Sequence, residues 1–402
     1  MDTLNIAEEL GVQHDQVKTL VLIDRFNAHE FRGLKDTKAY DSAMIGLSSS
    51  YHASFAALYR IGSKVEHSCF PNVSYSSKTG GLVYTATRPI EPGDRLSYSY
   101  SDGAALDCPV EERRAEMQRC KAFLCRCSRC EGPDFCRPLP SPCCAGQFAL
   151  MTAPAGAAAV EVVSNEAHSS TTLPSLALAV WTCQSCGLNL GSKEMAPACE
   201  TEAALHRSVR QLDMEMQAMG VRPGLMERAN ALQVACRSAL PWMHFLQARC
   251  MKVLMTVAAS EAPLVPRAMA SDRRWEAAAS AVELIVWRER MQAVLTAGSG
   301  RSETVEALAS EGAIKGSSGH GPQQRLHDLL ASWSQKSPRS DQTVHWDSAK
   351  DAFYAGMDLA EVGKEALAAV IFRRYKGAIL GWLSPEDEDR ERVMDIINRF
   401  PN

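Results

Sequence analysis

Glu66-His67-Ser68-Cys69-Phe70-Pro71-Asn72 and, more than fifty residues later, Cys125-Arg126-Cys127-Ser128-Arg129-Cys130 are the stretches that decide how this chain folds. The second sets three thiols within six residues, closer than core packing uses cysteine and well spaced to hold one metal ion. A tetrahedral site needs a fourth ligand from elsewhere, and Cys69 is the natural candidate. Together the two stretches predict a distant loop pinned against a cysteine cluster, with the chemistry expected in the pinned loop.

Composition frames that reading. A chain of 402 residues with 46% hydrophobic content can bury at least one large core, and its length suggests two or three domains. A net charge of -4 gives no electrostatic footprint for nucleic acid, so no direct nucleic-acid binding is expected. The N-terminus has no basic region leading into an apolar run. The most apolar stretch, Trp242 to Ser260, is interrupted by His244, Arg249 and Lys252, so no membrane binding is expected either. Fourteen cysteines without a secretory signal fit a reducing compartment, cytoplasmic or nuclear, where clustered thiols read as zinc ligands. Twelve of the fourteen lie between Cys69 and Cys199, so the metal chemistry is regional.

Residues 1–132 read as mixed α/β. Val73-Ser74-Tyr75-Ser76 and Leu82-Val83-Tyr84-Thr85-Ala86-Thr87 flank Lys78-Thr79-Gly80-Gly81, a hairpin with glycines at the turn, and a second turn follows at Glu91-Pro92-Gly93-Asp94. Beyond it Leu96, Tyr98 and Tyr100 alternate with Ser97, Ser99 and Ser101, which predicts a strand with one apolar, aromatic face. A helix then opens near Pro109, with Glu111 and Glu112 in its first turn and Arg113, Arg114 and Arg119 later.

Residues 133–199 are Pro- and Ala-rich and read as irregular. Cys183-x-x-Cys186-Gly187 has the shape of a zinc-ribbon knuckle, and Pro142-Cys143-Cys144-Ala145-Gly146 is a candidate opposing one, giving a second site with Cys144, Cys183 and Cys186. Serine at 141, where a knuckle would carry its first cysteine, leaves that ligand count open. Residues 200–402 turn helical: Leu205, Val209, Leu212 and Met216 form one stripe, and apolar-periodic segments follow at 225–240, 242–259, 275–297, 349–359 and 364–380. Paired helices of this length suggest a helical-hairpin array, for which tetratricopeptide-like packing is one option although no repeat of fixed period marks it, interrupted by a flexible Gly/Ser linker at about 298–322.

With these elements in place, Ala57-Leu58-Tyr59, Glu66-His67-Ser68-Cys69-x-Pro71-Asn72, Ile90-x-Pro92-Gly93-Asp94-x-Leu96-x-x-x-Tyr100-x-Asp102, Glu111-Glu112-Arg113-Arg114 and Phe123-x-Cys125-x-Cys127-x-x-Cys130 resemble, in order and spacing, the second half of the SET domain and the post-SET segment of the SET-and-MYND lysine methyltransferases. The resemblance is specific over about 27–132. It implies an α+β fold: a partial SET-type β-fold with a post-SET zinc site, followed by the all-α C-terminal region. It also implies a methyltransferase acting from S-adenosylmethionine on the lysine of a protein substrate, histone or other, with zinc in a structural role. Residue by residue, Cys69, Cys125, Cys127 and Cys130 match the thiolates of the post-SET zinc, and Tyr100 matches the tyrosine whose hydroxyl points into the methyl-transfer site. Asn27, the main chain at Glu66-His67 and the ring of Phe123 match cofactor contacts.

Plainer readings stand beside these. Taken by pattern alone, Tyr100 is a half-buried strand tyrosine, His67 a packed histidine, Asn27 a turn cap and Phe123 a core residue. The charged run Glu386 to Arg392 is a solvated helix start. The sequence also departs from the family: its Gly-x-Gly segment and MYND finger are not expected to fit in the 26 residues before Asn27. Glu66 stands where the family has asparagine, and Lys121 where it often places a second channel tyrosine. Two hypotheses follow, a zinc-stabilised protein-lysine methyltransferase and a catalytically silent SET-derived interaction module whose C-terminal helices bind partner peptides.

Overall fold

The structure, a computed structural model, describes residues 11, 13–19, 29–31, 55–57, 59–78, 81–101, 103–144, 148–152, 180–220, 222, 224–297, 321–334, 346–383 and 388–401. Asn27 and the Gly/Ser stretch 298–320 lie outside them. The chain divides into two compact units, Met1–Ser101 with Ala115–Cys125, and Asp102–Arg114 with Arg126–Asn402.

In the first unit β1 (His29–Phe31) pairs antiparallel with β2 (Phe55–Ala57). The hairpin forms where its glycines predict: β4 (Val73–Lys78) and β5 (Gly81–Ala86) pair from Val73↔Ala86 to Lys78↔Gly81. The second turn closes through the Asp94 amide to the Glu91 carbonyl at 3.0 Å, with Gly93 at φ +97°, a conformation that favours glycine. β3 (Glu66–His67) then pairs parallel with β6 (Ser97–Tyr98). The expected longer strand is only these two residues, and Leu96 is 44% exposed rather than part of an apolar face. Side-chain hydrogen bonds rather than ladder bonds hold the rest of this stretch.

Asn72 is the hub of several of those bonds. It is buried, its Nδ2 donates to the Arg95 carbonyl at 2.9 Å, and its Oδ1 accepts from the Ser97 amide at 2.8 Å. Its own amide donates to the Ser97 carbonyl at 3.1 Å, and its carbonyl accepts from the Thr87 amide at 2.8 Å. One asparagine therefore ties the loop after β3 to both β5 and β6.

In the second unit α1 (Gly103–Leu106) precedes α2 (Val110–Lys121), whose latter part belongs to the first unit. Acidic residues in its first turn and Arg119 and Lys121 in its last suit the helix dipole. After α3 (Ser128–Glu131) the described residues of the stretch read as irregular form four β-strands and the start of a helix. β7 (Pro133–Pro140), β8 (Phe148–Thr152), β9 (Val180–Cys183) and β10 (Asn189–Leu190) form an antiparallel sheet in the order β10-β9-β8-β7. β7 tolerates its prolines because it is an edge strand with a register shift between Pro133 and Pro138, so the missing amides cost no continuous ladder.

Arg137 of β7 is fully buried and bonds Glu202 through Nε at 2.7 Å and Nη2 at 2.6 Å, with Glu111 and His244 completing the network. Glu202 belongs to α4 (Ser192–Met219), which starts where the Glu194 carboxylate accepts from the Gly191 amide at 2.9 Å. The helices α5 (Leu225–Ala239), α6 (Phe245–Glu261), α7 (Arg267–Ala297), α8 (Pro322–Ser334), α9 (Trp346–Glu361), α10 (Glu365–Trp382) and α11 (Glu388–Arg399) follow. The core runs through Leu212, Met226, Leu254, Val257 and Ala277, all nearly inaccessible. No helix among the described residues is long and apolar enough to cross a membrane.

Candidate functional site

The parallel β3–β6 pair sets His67 opposite Tyr98, and the chain leaving β6 brings Tyr100 back over the same histidine. The Tyr100 amide donates to His67 Nδ1 at 3.0 Å, and the rings stand 5.3 Å apart. Because Nδ1 accepts, the neutral imidazole carries its proton on Nε2, and that nitrogen lies 3.3 Å from Cys69 Sγ. His67 therefore bridges the tyrosine and the cysteine cluster. It sits beside the thiols as a donor to one of them.

The Tyr100 hydroxyl donates to the Val65 carbonyl at 2.7 Å, which fixes the phenol. Its ring packs 4.8 Å from Tyr98 and 6.3 Å from Phe123, while Tyr98 meets Tyr75 at 5.2 Å and Tyr84 at 5.9 Å. Burial pushes the Tyr100 hydroxyl above its ordinary value, and the Glu66 charge adds to that. Burial raises Tyr98 as well, and pushes Tyr84 up to about 12. All three stay protonated near neutrality, so this cluster offers oriented dipoles and ring faces, not a base.

Lys121, at the end of α2, points its ammonium over the Tyr100 ring, 5.7 Å from the centroid. Partial burial lowers its pKa. Ala122 follows at φ +56°, an uncommon conformation for a residue with a side chain, and turns the chain so that half-buried Phe123 lies 5.7 Å from His67. Glu66 faces the opposite way. Its carboxylate is 59% exposed and pairs with the 83% exposed Arg95 at 3.1 Å.

Cys69 and Cys125 are both buried with their sulfurs 3.9 Å apart. Cys127 and Cys130 follow Cys125 within five residues, and the four cysteines are a group that could hold a metal ion. The donor set fits zinc: four thiolates around a dication carry net negative charge, and the surroundings answer it with N–H donors. Arg113, itself buried, directs Nη2 to Cys130 Sγ at 3.8 Å, as His67 does to Cys69. For a cationic sulfonium cofactor the described residues offer the Phe123 and Tyr100 rings, groups that attract cations.

The spacing that singled out Cys69, Cys125, Cys127 and Cys130 thus selects thiols that the fold brings together, and Tyr100, His67 and Phe123 converge as well. Glu66 shares their strand, yet its side chain faces solvent. Sequence reasoning missed the Val65 carbonyl, which as main chain has no residue-type signal, and the pinning role of Asn72. It also missed Arg95, the partner that neutralises Glu66.

Residues 13–101 match the SET domain family. This segment is a SET domain. The matched span ends one residue after Tyr100 and contains the whole β3–β6 region. Part of the chain is 35% identical over 66 residues to a SET and MYND domain-containing protein of Dictyostelium discoideum, covering 16% of each chain. It is 36% identical over 77 residues to the histone-lysine N-methyltransferase SMYD3 of Homo sapiens, covering 19% of this chain and 17% of that one. It is 34% identical over 65 residues to the potential protein lysine methyltransferase SET6 of Saccharomyces cerevisiae, covering 16% and 17%. The chain thus spans about a sixth of the length of these relatives. A SET domain over residues 13–101 followed by a helical C-terminal region makes this an α+β protein, similar over part of its length to SET-and-MYND proteins.

Proposed function

We propose that this protein is a SET-type, S-adenosylmethionine-dependent protein-lysine methyltransferase acting on a histone or another protein. The observation that carries the reading is Tyr100, at the end of the SET match, with its hydroxyl held by the Val65 carbonyl inside an aromatic cluster. The cofactor would supply an electrophilic methyl on a sulfonium, held by Phe123, the Glu66-His67 main chain and Asn27. Transfer to a lysine amine is an in-line displacement, for which alignment contributes more than acid–base power. The Tyr100 hydroxyl spends its proton on Val65 and keeps its oxygen lone pairs free to orient the substrate amine. It stays neutral because burial raises its pKa.

The amine must lose its own proton before it attacks. The Lys121 charge beside Tyr100 disfavours a second ammonium there and so favours the neutral amine. Cys69, Cys125, Cys127 and Cys130 would hold a structural zinc, since four thiolates leave no open position for substrate or water. The C-terminal helices, read as tetratricopeptide-like hairpins, would bind partner peptides, in the cytoplasm or nucleus.

Calorimetric titration of S-adenosylmethionine into zinc-replete protein tests the reading, with saturable binding expected. No binding at millimolar cofactor would leave the silent interaction module as the function. Where binding is seen, Tyr100→Phe should lower methyl transfer to a lysine substrate with cofactor affinity nearly unchanged, and equal transfer would remove Tyr100 from the mechanism.

A further inference from the structure

A second thiol cluster lies on the sheet of the second unit. β7 ends at Pro140 and β8 begins at Phe148, and these two residues pair; β9 ends at Cys183, which pairs with Ala149, and turns into β10 at Asn189. In an antiparallel sheet both connections therefore emerge at the same end. One carries Cys143 and Cys144, the other Cys183 and Cys186.

The β9–β10 turn is shaped before any metal enters. The Gly187 amide donates to the Cys183 carbonyl at 2.9 Å with Gly187 at φ +72°, and the Cys183 amide donates to the Leu188 carbonyl at 2.9 Å. The Gln184 amide donates to the Phe148 carbonyl at 3.0 Å, which fixes this turn against the start of β8.

The missing ligand comes from an unexpected position. Ser141 stands where the first cysteine of a knuckle would be, and Cys143 takes over that place. Its sulfur lies 3.2 Å from the Ser141 hydroxyl and 3.5 Å from Cys186 Sγ. The sulfurs of Cys143, Cys144, Cys183 and Cys186 all lie within 4.8 Å of one another. A tetrahedral site with Zn–S of about 2.3 Å has sulfur–sulfur edges of about 3.8 Å, so a small contraction suffices. At 3.5 Å the Cys143–Cys186 pair is far beyond the roughly 2.05 Å of a disulfide bond.

We propose that Cys143, Cys144, Cys183 and Cys186 bind a second, structural zinc ion that ties the β7–β8 connection to the β9–β10 turn as a zinc ribbon. The chemistry of the ligands selects the ion: four clustered thiolates with no carboxylate or imidazole in the set favour zinc over hard divalent cations. The site is independent of the cluster at Cys69 and of any methyltransferase activity. Unlike that cluster it is open to solvent, since Cys143 and Cys186 are exposed. Its zinc should be the first of the two to yield to a chelator.

Elemental analysis of the zinc-reconstituted full-length protein tests this, with two zinc ions per chain expected. Cys186→Ser and Cys143→Ser, at exposed positions with little packing role, should each lower the content to one, and Cys69→Ser should lower it to one by removing the other ion. Because a serine variant can fail for reasons of folding, thiol protection in the unmodified protein gives a second readout. Cys143 and Cys186 should resist maleimide until a chelator is added, and then react at least tenfold faster. One zinc per chain in the unmodified protein, unchanged content in Cys186→Ser, equal labelling with and without chelator, iron in place of zinc, or a Cys143–Cys186 disulfide by mass would each overturn the proposal.

Discussion

Replacing Asn72 by alanine perturbs the junction on which the candidate site is built. The side chain is 2% exposed and satisfies two main-chain groups, the Arg95 carbonyl at 2.9 Å and the Ser97 amide at 2.8 Å. Alanine leaves both without their partner, and an unsatisfied group costs about 1–3 kcal/mol when water cannot replace the bond. Arg95 lies at the surface and Ser97 is half-buried, so the lower part of that range applies to each, for a total of about 2–4 kcal/mol. The seven tryptophans all lie at or beyond Trp181, so their fluorescence does not report this region. Amide hydrogen exchange does. The Ser97 amide is itself the donor to Asn72, and at about 1.4 kcal/mol per tenfold the loss corresponds to exchange faster by roughly 30- to 1,000-fold. Ser97→Ala is the control: its hydroxyl reaches Asn72 Oδ1 only at 3.5 Å, so removing it should change protection less than about threefold. Protection in Asn72→Ala within threefold of the unmodified protein would refute the claim that this residue holds β3, β5 and β6 together.

Four further outcomes follow from the same geometry. Lys121→Met should shift the acid limb of the kcat/KM profile for a lysine substrate to higher pH, because removing a neighbouring cation lets the substrate ammonium hold its proton more tightly; an unmoved limb would separate Lys121 from the substrate amine. Glu202→Gln should destabilise the second unit by about 3 kcal/mol in chemical denaturation, since fully buried Arg137 would lose its bidentate partner and keep the part-exposed Glu111 as its ion pair. Burial opposes ionisation of Glu202, but Arg137 outweighs it and holds the pKa at about 2 against 4.5, so this contribution is full above pH 4.5 and is lost as pH falls through 2; His206, held by burial at about 4 against 6.5, makes denaturation stability begin to fall already below pH 6.5. Gly356→Ala should lower stability by roughly 2–4 kcal/mol in a thermal or denaturant melt, because its Cβ would run into the buried Phe372 ring of the neighbouring helix.

The parts of this architecture that were legible in the sequence are those set by local chemistry. Glycines at 80 and 81 announce the β4–β5 hairpin, Pro109 with Glu111 and Glu112 announces α2, and the charged run near Glu386 leads into α11. The thiol spacing at Cys125, Cys127 and Cys130 was legible for the same reason, since ligands of one ion are held to short separations. What escaped depended on non-local partners. The proline-rich β7 reads as irregular until its edge position removes the need for ladder donors. Leu96 alternates correctly with Tyr98 and Tyr100, yet the strand ends before it because Asn72 takes the Arg95 carbonyl. Glu66, which stands where the family has asparagine, turns to the surface because Arg95, distant in sequence, pairs with it there. The second ligand set stayed open in sequence because Ser141 holds the place of a knuckle's first cysteine, whereas the fold brings the sulfurs of Cys143 and Cys144 within 4.8 Å of those of Cys183 and Cys186.

His67 shows why the cysteine loop and the tyrosine cannot be treated as separate features. Its Nδ1 is committed to the Tyr100 amide, which forces the proton onto Nε2 and aims it at Cys69. A neutral thiol is a poor acceptor for that proton, and a metal-bound thiolate is a good one, so zinc at Cys69 would strengthen the contact and with it the imidazole orientation that holds the Tyr100 backbone. The hydroxyl end of the same residue is fixed independently by Val65, and the ring by Tyr98 and Phe123. Tyr100 is thus restrained at its amide, its ring and its oxygen by four separate residues. That degree of restraint exceeds what a half-buried strand tyrosine needs for packing, and it suits the role proposed for Tyr100, in which displacement chemistry would need a fixed group to hold an amine in line.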